Sequence, residues 1–563
     1  MSIRLGTQVA GTGNDRWVYH WNNWWLRKAL VEGRNPFRTS YMFYPHGVSL
    51  VWHGFSWYNT GVWIPLQALV GPLAAHNLTI LLAYTVSGFS AYLLGHDLTG
   101  SRRVAFVAGL VFAYYPYHYI HRNQLNLLSV QWIPLFTLCL MRLTQQGRLR
   151  DGLTAGVTLA LCGLCGAQVM ILSVMWGGLW LLHSLITQRD CWSRRTVLGL
   201  ALGGAVCAMV LAPCYGPMVA ALLARPDIGP ELTASQTGKA TDLLAYFVPS
   251  FQHPLVNNGV LEDIYERWVN VRRVAAVGYT VLGLAVWAAV KQWRRARVWV
   301  VAALVFAVLA LGSTLRVNGR AFPGFPMPYR LLAPTLVGAA LRHPSRFNLI
   351  LAMPIAGLTS IGLADLLRRL DRRRSWMTVS AAACIFSMIL FEYIPPPFDT
   401  TEPIHSGFYD LLREDSDEYA IADFPIGYHA HDKWYMYAQT LHERPMIGGH
   451  VSRVPARAHD FIDSVPLLTI ARKSAPRDGE LDDVSRQLAP LVGADVKYVI
   501  VHRDRASSSR VSAWREWFAV PPHYEDEHLV VFRTAPSYGR HFEFMEEIGD
   551  GIGVIKAELS QDV

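Results

Sequence analysis

The chain has 563 residues, of which 52% are hydrophobic and 19 are tryptophan, and this composition is too apolar for a pair of soluble domains. The net charge of +9 combines 34 basic and 14 acidic residues before Ile394 with 17 basic and 28 acidic residues from Ile394 onward. The positive charge lies in short clusters between apolar runs, as topology signals do, which excludes a nucleic-acid-binding protein. The sequence therefore predicts a multi-pass protein of the cell membrane with a soluble carboxyl-terminal domain.

The first 77 residues are polar and rich in tryptophan, and Asp15 precedes Trp21, Trp24 and Trp25. A carboxylate framed by amphipathic rings above a membrane is well placed to meet the head group of a lipid-linked substrate and to act as a general base. A surface carboxylate beside an ordinary tryptophan belt is the alternative. Residues 61–73 are apolar but short and contain two prolines, which favours an interfacial or re-entrant helix.

Ten apolar segments of about spanning length follow. They lie near 78–95, 104–117, 124–141, 152–168, 170–186, 196–218, 274–290, 298–315, 348–366 and 376–393. Arginine and lysine are concentrated in alternate short connections, which the positive-inside rule places in the cytoplasm. Residues 1–77, the loops 222–273 and 316–347, and residues 394–563 then lie outside. Nothing in the chain carries residues 1–77 across, so we expect a first helix to be missing, with an N-out topology as the alternative.

The external loop 222–273 contains carboxylates in a half of the chain that is otherwise poor in acids, among them Glu262 and Asp263. A second carboxylate can position an acceptor hydroxyl or hold a divalent cation through oxygen ligands, although the spacing matches no recognised metal motif. Solvated loop charges are the alternative interpretation.

Two further polar clusters lie on the same predicted face. Residues 117–123 place two histidines three apart, and we interpret His121 as lining a cavity mouth, because zinc usually needs more ligands. Arg342 and Arg346, with Tyr329 upstream, lie just before a spanning segment. A guanidinium group can grip two oxygens at once, which suits a polyprenyl phosphate, whereas arginines that snorkel to lipid phosphates are the alternative.

The acidic tail combines short apolar runs with amphipathic stretches. Strands are predicted at 419–424, 496–502 and 528–533, and helices near 407–415, 432–440, 456–470 and 481–490. This alternation predicts a small α/β domain, residues 394–563, on the extracytoplasmic side.

The order of these motifs is similar to that of a known family. An Asp followed by a tryptophan-rich stretch, the runs Asn35-Pro36-Phe37 and Tyr44-Pro45-His46-Gly47, many helices, the loop Arg342-His343-Pro344-Ser345-Arg346-Phe347 and an external tail together resemble the bacterial YfhO-like membrane proteins. These are related to the GT-C class of polytopic glycosyltransferases, and the resemblance covers almost the whole chain. It implies a polytopic α-helical bundle of GT-C type whose first helix is missing here.

The resemblance also implies an activity, the transfer of a sugar from a polyprenyl-phosphate donor to a lipid, cell-envelope glycan or protein acceptor on the outer face. Asp15 matches the first-loop acid that acts as base or positions the acceptor, and Glu262 or Asp263 would assist it. The donor phosphate would face Arg342 and Arg346. The remaining expected substrate contacts are Trp21, Trp24, Trp25, His46, His121 and Tyr329. Because Asp15 has no adjacent second acid, metal dependence stays open and no residue is assigned as a metal ligand.

Two other functional classes compete with the enzyme. A transporter or flippase of lipid-linked glycans should place ionisable residues within its spans, whereas His183, Asp365 and Glu392 all lie near span ends, which favours the enzyme. A non-catalytic membrane assembly protein stays open, because the tail can bind a partner or a glycan as easily as cover an active site.

Overall fold

The computed structural model describes residues 4–187, 192–224, 239–251, 253–256, 259–268, 271–272, 274–371, 375–427, 429–472, 484–518 and 520–535. The chain divides into two compact units. The first comprises Met1–Thr12 and Gly54–Thr401, and the second comprises Gly13–His53 and Glu402–Val563. Residues 1–77, which the sequence analysis treats as one loop, are therefore shared between the units, and their tryptophan-rich part belongs with the tail.

The first unit is built from helices, and each apolar segment predicted from the sequence is helical over most of its length. Its principal helices are Trp57–Val70, Pro72–Thr99, Arg102–Ala113, Ile133–Gln146, Leu149–Cys165, Ala167–Thr187, Arg194–Ala224, Gly259–Arg267, Tyr279–Lys291, Trp293–Ala310, Phe347–Asp371 and Ser375–Glu392. Shorter helical turns are Pro116–Tyr119, Leu125–Leu128, Leu243–Tyr246, Tyr329–Leu332, Leu336–Ala340 and Pro344–Arg346. Three strand pairs complete the unit: Val9–Ala10 with Thr400–Thr401, Ala240–Thr241 with Val271–Arg272, and Leu315–Val317 with Arg320–Phe322.

Five segments of the described chain are long and apolar enough to cross a membrane: Pro72–Thr99, Leu125–Gln146, Ala167–Thr187, Arg194–Ala224 and Pro344–Asp371. The chain is therefore a membrane protein. Other apolar helices fall short of the roughly 20 residues that a crossing usually needs, as the 12 residues of Arg102–Ala113 illustrate. The predicted count of ten crossings stays a prediction.

Helix Phe347–Asp371 forms the centre of the first unit, because 94% of its apolar window is buried. A helix that is apolar on all sides has no solvent-facing stripe and is buried against other helices. Two glycines allow close approach: a Cβ on Gly357 would lie 2.5 Å from Cε3 of Trp299, and one on Gly362 would lie 2.2 Å from the carbonyl oxygen of Leu284. Neighbouring helices therefore reach the backbone of this helix directly.

Helices Leu149–Cys165 and Arg194–Ala224 also meet through glycines. A Cβ on Gly152 would lie 2.3 Å from the carbonyl oxygen of Gly199, and one on Gly156 would lie 2.2 Å from that of Gly203. Only 22% of the apolar window of Arg194–Ala224 is buried, so most of this helix faces outward with large aliphatic side chains. Such a surface is stable in lipid and not in water.

The second unit contains a four-stranded sheet in the spatial order Tyr524–Glu525, Leu529–Arg533, Val496–His502, Ala420–Phe424. The last two strands are parallel and the other neighbours are antiparallel. All residues of the two parallel strands are buried, and most of them are apolar, as expected for strands that are covered on both faces. The surrounding helices are Gly407–Glu414, His429–His442, Ala456–His459, Asp460–Ser464, Pro466–Arg472, Val484–Gly493 and Ser508–Trp517. The strand pair Arg38–Thr39 and Val48–Ser49 belongs to the same unit.

Helix Asp15–Val31 is part of the second unit and lies against helix His429–His442. Trp21 Nε1 donates to Gln439 Oε1 at 2.7 Å, although the two residues are 418 positions apart. Gln439 is fully buried, and its Nε2 donates to the carbonyl oxygen of Tyr41 at 2.5 Å. Lys28 Nζ lies 2.6 Å from Glu443 Oε2. Amino-terminal and carboxyl-terminal segments of the chain thus form one folded body.

Candidate functional site

Asp15 begins the helix Asp15–Val31 and forms an ion pair with Lys433 of helix His429–His442. The side chain of Asp15 is 34% exposed and that of Lys433 is 17% exposed. A carboxylate in a first helical turn interacts favourably with the helix dipole. Asp15 is therefore a partly exposed carboxylate held in one position, as a general base must be.

Two arginines that the sequence analysis did not single out belong to the same part of the second unit. Cζ of Arg16 lies 4.4 Å from the ring centroid of Trp17, and Cζ of Arg505 lies 5.5 Å from that of Trp434. The Trp17 and Trp434 rings are in edge contact, with centroids 4.9 Å apart. Burial, and then the charge of Arg505, lower the pKa of Arg16 to about 10. Arg16 thus directly follows Asp15 in the chain, and Arg505 belongs to the same cluster of aromatic and cationic side chains. Asp504 Oδ2 lies 2.8 Å from Arg505 Nε.

The three tryptophans expected to contact substrate are buried. Trp21, Trp24 and Trp25 expose 0%, 6% and 1% of their surfaces. The rings of Trp21 and Trp25 stack at 5.8 Å, and Trp25 Nε1 donates to the carbonyl oxygen of Pro36 at 3.0 Å. These contacts hold helix Asp15–Val31 in the second unit, so the tryptophans position Asp15 through the backbone of its helix.

In the first unit, the loop around Arg342 and Arg346 is fixed by backbone contacts. The backbone nitrogen of Lys239 donates to His343 Nδ1 at 3.1 Å, and the backbone nitrogen of Ser345 donates to the carbonyl oxygen of Lys239 at 3.2 Å. Arg342 and Arg346 are both half-buried. Lys239 itself is exposed, which adds a third basic residue to this short stretch of surface.

Tyr329 is a buried residue that holds this loop through a hydrogen bond. Its hydroxyl group donates to the carbonyl oxygen of Leu341 at 3.1 Å, and only 5% of its surface is exposed. Burial raises the pKa of Tyr329, and the positive charge of Arg346 opposes the rise. The role of Tyr329 and Arg346 as phosphate contacts stays a prediction.

Glu262 and Asp263 are exposed on helix Gly259–Arg267, whose opposite face is held by buried Leu261 and Tyr265. Asp242 behaves differently, since it is fully buried and accepts backbone hydrogen bonds from Leu244 at 3.0 Å, Asn318 at 3.0 Å and Gly319 at 2.8 Å. The buried carboxylate of this loop is thus structural, and the exposed pair is free to meet solvent or substrate. Within the described ranges, no group of three or more His, Cys, Asp or Glu side chains is arranged to hold a metal ion.

The two histidines assigned to substrate contacts differ in environment. His121 is buried, its Nδ1 lies 2.7 Å from Gln124 Oε1, and its ring contacts Tyr117 at 4.9 Å. His46 is exposed in the second unit. His121 therefore requires local rearrangement before it can touch a substrate, and His46 does not.

The structure distributes the predicted site residues between the two units. Asp15, the three tryptophans and His46 belong to the second unit, and Glu262, Asp263, His121, Tyr329, Arg342 and Arg346 belong to the first. Sequence reasoning missed Lys433, Arg16, Arg505 and Lys239. The pairing of Asp15 with Lys433 spans 418 positions, so no local spacing signals it. Arg16 carries a usable signal, because it directly follows the candidate base.

No protein-family model matches the chain, and no curated protein matches it. Solved structures do. The chain is similar to the arabinofuranosyltransferase AftD from Mycobacteria, with 15% identity and a TM-score of 0.52 over 95% of this chain, which spans 40% of the length of AftD. It is also similar to an oligosaccharyltransferase from Archaeoglobus fulgidus, with 14% identity and a TM-score of 0.48 over 92% of this chain and 67% of the other. ArnT from Cupriavidus metallidurans shows 12% identity and a TM-score of 0.44 over 95% and 96% of the two chains.

At these identities the similarity concerns the fold alone. Of these three structures, AftD is the one whose TM-score exceeds 0.5. The similarity to AftD agrees with the GT-C fold class expected from the sequence. The narrower YfhO-like resemblance stays a prediction.

Proposed function

We propose that this protein is a membrane glycosyltransferase that moves a sugar from a polyprenyl-phosphate donor to a lipid, cell-envelope glycan or protein acceptor on the outer face. The observation that carries the proposal is the similarity of fold to a glycosyltransferase over 95% of the chain, which includes both units. Ten crossings and an extracytoplasmic tail are part of the same proposal. Fold alone does not specify chemistry, and the roles of individual residues follow from their exposure, charge and contacts.

Asp15 is the proposed base or acceptor-positioning group. Its carboxylate is partly exposed, and its ion pair with Lys433 fixes the side chain without burying it. A base that removes a proton from an acceptor hydroxyl has to reach that hydroxyl, so partial exposure and a fixed position both favour this role. Glu262 and Asp263, exposed on their helix, are the proposed assisting carboxylates.

Arg342 and Arg346 are the proposed partners of the donor phosphate. Guanidinium groups bind phosphate oxygens in pairs, and two hydrogen bonds of the Lys239 backbone, one donated to His343 Nδ1 and one accepted from the backbone nitrogen of Ser345, restrain the loop that presents them. Tyr329 holds the same loop through the hydrogen bond from its hydroxyl group to the carbonyl oxygen of Leu341. A positively charged, restrained loop before a membrane-spanning helix suits the charge that develops on a departing polyprenyl phosphate.

The first test is donor turnover. The detergent-purified full chain is incubated with a panel of polyprenyl-phosphate sugars labelled in the sugar, together with a lipid and glycan extract as acceptor. We expect the label of one donor to be transferred to an acceptor at a rate that is proportional to the protein concentration. Absence of turnover with every donor, from protein that is folded and monodisperse, would favour the assembly role instead.

The second test is the substitution Asp15→Asn, which keeps the shape of the side chain and removes its basicity. We expect transfer to fall at least 100-fold while expression and membrane insertion are unchanged, on the order of the contribution of general base catalysis. Asp410→Asn is the matched control, because Asp410 is also a first-turn carboxylate of the second unit, and its Oδ2 lies 3.0 Å from Nε2 of His405. Retained transfer by Asp15→Asn would remove Asp15 from the mechanism.

A further inference from the structure

An apolar cavity opens in the first unit at the end of helix Ser375–Glu392. Its volume is about 510 Å³, within the range of roughly 300–1,000 Å³ that is typical of small-molecule sites. Helix Ser375–Glu392 contributes Cys384, Ser387, Met388 and Phe391 to the wall, and the start of helix Tyr279–Lys291 closes the opposite side. None of the residues assigned above to glycosyl transfer lines this cavity.

The mouth of the cavity is surrounded by exposed apolar side chains. Met388 and Phe391 are each 49% exposed, Tyr279 is 61% exposed and Phe247 is 48% exposed. Large apolar groups clustered in this way are unfavourable in water and natural against hydrocarbon. Because both flanking helices are among the apolar helices of the bundle, the cavity is continuous with a surface suited to lipid.

Among the described residues that line the cavity, Glu392 is the one acidic side chain. Glu392 lines the cavity, and its Oε1 accepts hydrogen bonds from the backbone nitrogen and hydroxyl group of Thr280 at 2.8 and 2.9 Å. His253 Nε2 lies 2.6 Å from the carbonyl oxygen of Phe391, and its Nδ1 accepts from the backbone nitrogen of Leu255 at 3.2 Å. No lysine or arginine is among the described residues of the cavity wall.

We propose that this cavity binds the acyl chain of an amine-bearing membrane lipid, with the ammonium group of the head group near Glu392. The apolar wall removes the chain from contact with water or with disordered lipid, and the carboxylate attracts an ammonium group while it repels a bare phosphate. The carboxylate distinguishes this site from the proposed donor site, which needs cationic side chains. The proposal therefore does not depend on the proposed glycosyl transfer.

The test uses three lipids that carry the same photoreactive diazirine on one chain: a phosphatidylethanolamine, a phosphatidylglycerol and a polyprenyl phosphate. Each is added to the purified full chain in detergent-lipid micelles, and the cross-linked peptides are identified by mass spectrometry. We expect phosphatidylethanolamine to label the peptide that contains Cys384–Glu392 at least fivefold more than either anionic lipid. Equal labelling by all three lipids, or preferential labelling by the polyprenyl phosphate, would overturn the proposal.

Two variants on the same helix control for ordinary contact with surrounding lipid. Ser387→Trp fills the cavity and should reduce labelling by phosphatidylethanolamine at least fivefold, whereas Val379→Trp introduces the same side chain at a position that is 55% exposed and does not line the cavity. Unchanged labelling of Ser387→Trp would show that the lipid lies on the outer surface only. The comparison of the three lipids uses the unmodified protein, so it decides the proposal even where a variant fails to fold.

Discussion

His53 is buried in the second unit, and each nitrogen of its ring has a defined partner. Nδ1 accepts a hydrogen bond from the backbone nitrogen of Ser452 at 3.2 Å, and Nε2 lies 2.8 Å from Asn22 Oδ1, to which it donates. A second proton at Nδ1 would point at the N–H of Ser452. Burial lowers the pKa of His53 to about 4, and burial together with the charges of Arg444 and His502 lowers that of His442 to about 3.

These histidines make the stability of the second unit depend on pH. In the unfolded chain an imidazole has a pKa near 6.5, so below that value the unfolded state binds a proton that folded His53 does not bind. The stability that His53 contributes is complete above about pH 6.5 and is lost as pH falls towards 4, by roughly 3 kcal/mol in all. We expect hydrogen-exchange protection of helix Asp15–Val31, corrected for intrinsic rates, to fall between pH 7 and pH 5.

The control for this effect is a comparison of two variants. His53→Gln should lower protection at pH 7 and reduce its further loss at pH 5, whereas His46→Gln, at an exposed position, should follow the unmodified protein. An identical loss between pH 7 and pH 5 in all three proteins would exclude His53 as a source of the pH dependence. No feature of the sequence around His53 distinguishes it from His46, because its two partners come from distant segments.

At the level of elements, the glycine contact between helices Leu149–Cys165 and Arg194–Ala224 shows what the sequence does and does not specify. Gly152 and Gly156, like Gly199 and Gly203, are four positions apart, so each pair lies on one face of its helix. The spacing is visible in the sequence, but the identity of the partner helix is not. The same holds for Ala420–Phe424 and Val496–His502, whose apolar runs predict strands within a residue of those observed, while their parallel pairing needs the structure.

Adjacent glycines of helix Arg194–Ala224 provide a sharp test of this contact. A Cβ on Gly203 would lie 2.4 Å from the carbonyl oxygen of Gly152, whereas one on Gly204 meets nothing within 4 Å. We expect Gly203→Ala to lower the thermal unfolding temperature in detergent by several degrees, because the backbones must separate. Gly204→Ala should leave it unchanged or raise it, since alanine is the better helix former by about 1 kcal/mol. Equal effects of the two substitutions would contradict the close helix contact.

At the level of the whole molecule, the second unit requires the number of membrane crossings to be even. It is formed by Gly13–His53 together with Glu402–Val563, and buried bonds such as Trp21 to Gln439 join the two segments. Both segments therefore lie on the same side of the membrane, and the chain between them crosses an even number of times. Five crossings would be an odd number, so either a shorter apolar helix of the described chain crosses as well or one of these five long helices does not cross. Ten crossings satisfy this condition, and the contact between the two segments imposes it independently of the charge pattern from which the topology is predicted.

Cysteine accessibility tests this topology directly. In a chain whose seven native cysteines are replaced by alanine, single cysteines are introduced at three exposed positions, His46→Cys, Asp410→Cys and Gln146→Cys. We expect a membrane-impermeant maleimide to label the first two in intact cells and the third only after lysis, because Gln146 belongs to a connection rich in arginine. Labelling of His46→Cys and Asp410→Cys from opposite faces would mean an odd number of crossings and would contradict the second unit as a folded body. Labelling of both only after lysis would keep the even number and reverse the orientation, which would place Asp15 in the cytoplasm and remove the outer-face reaction.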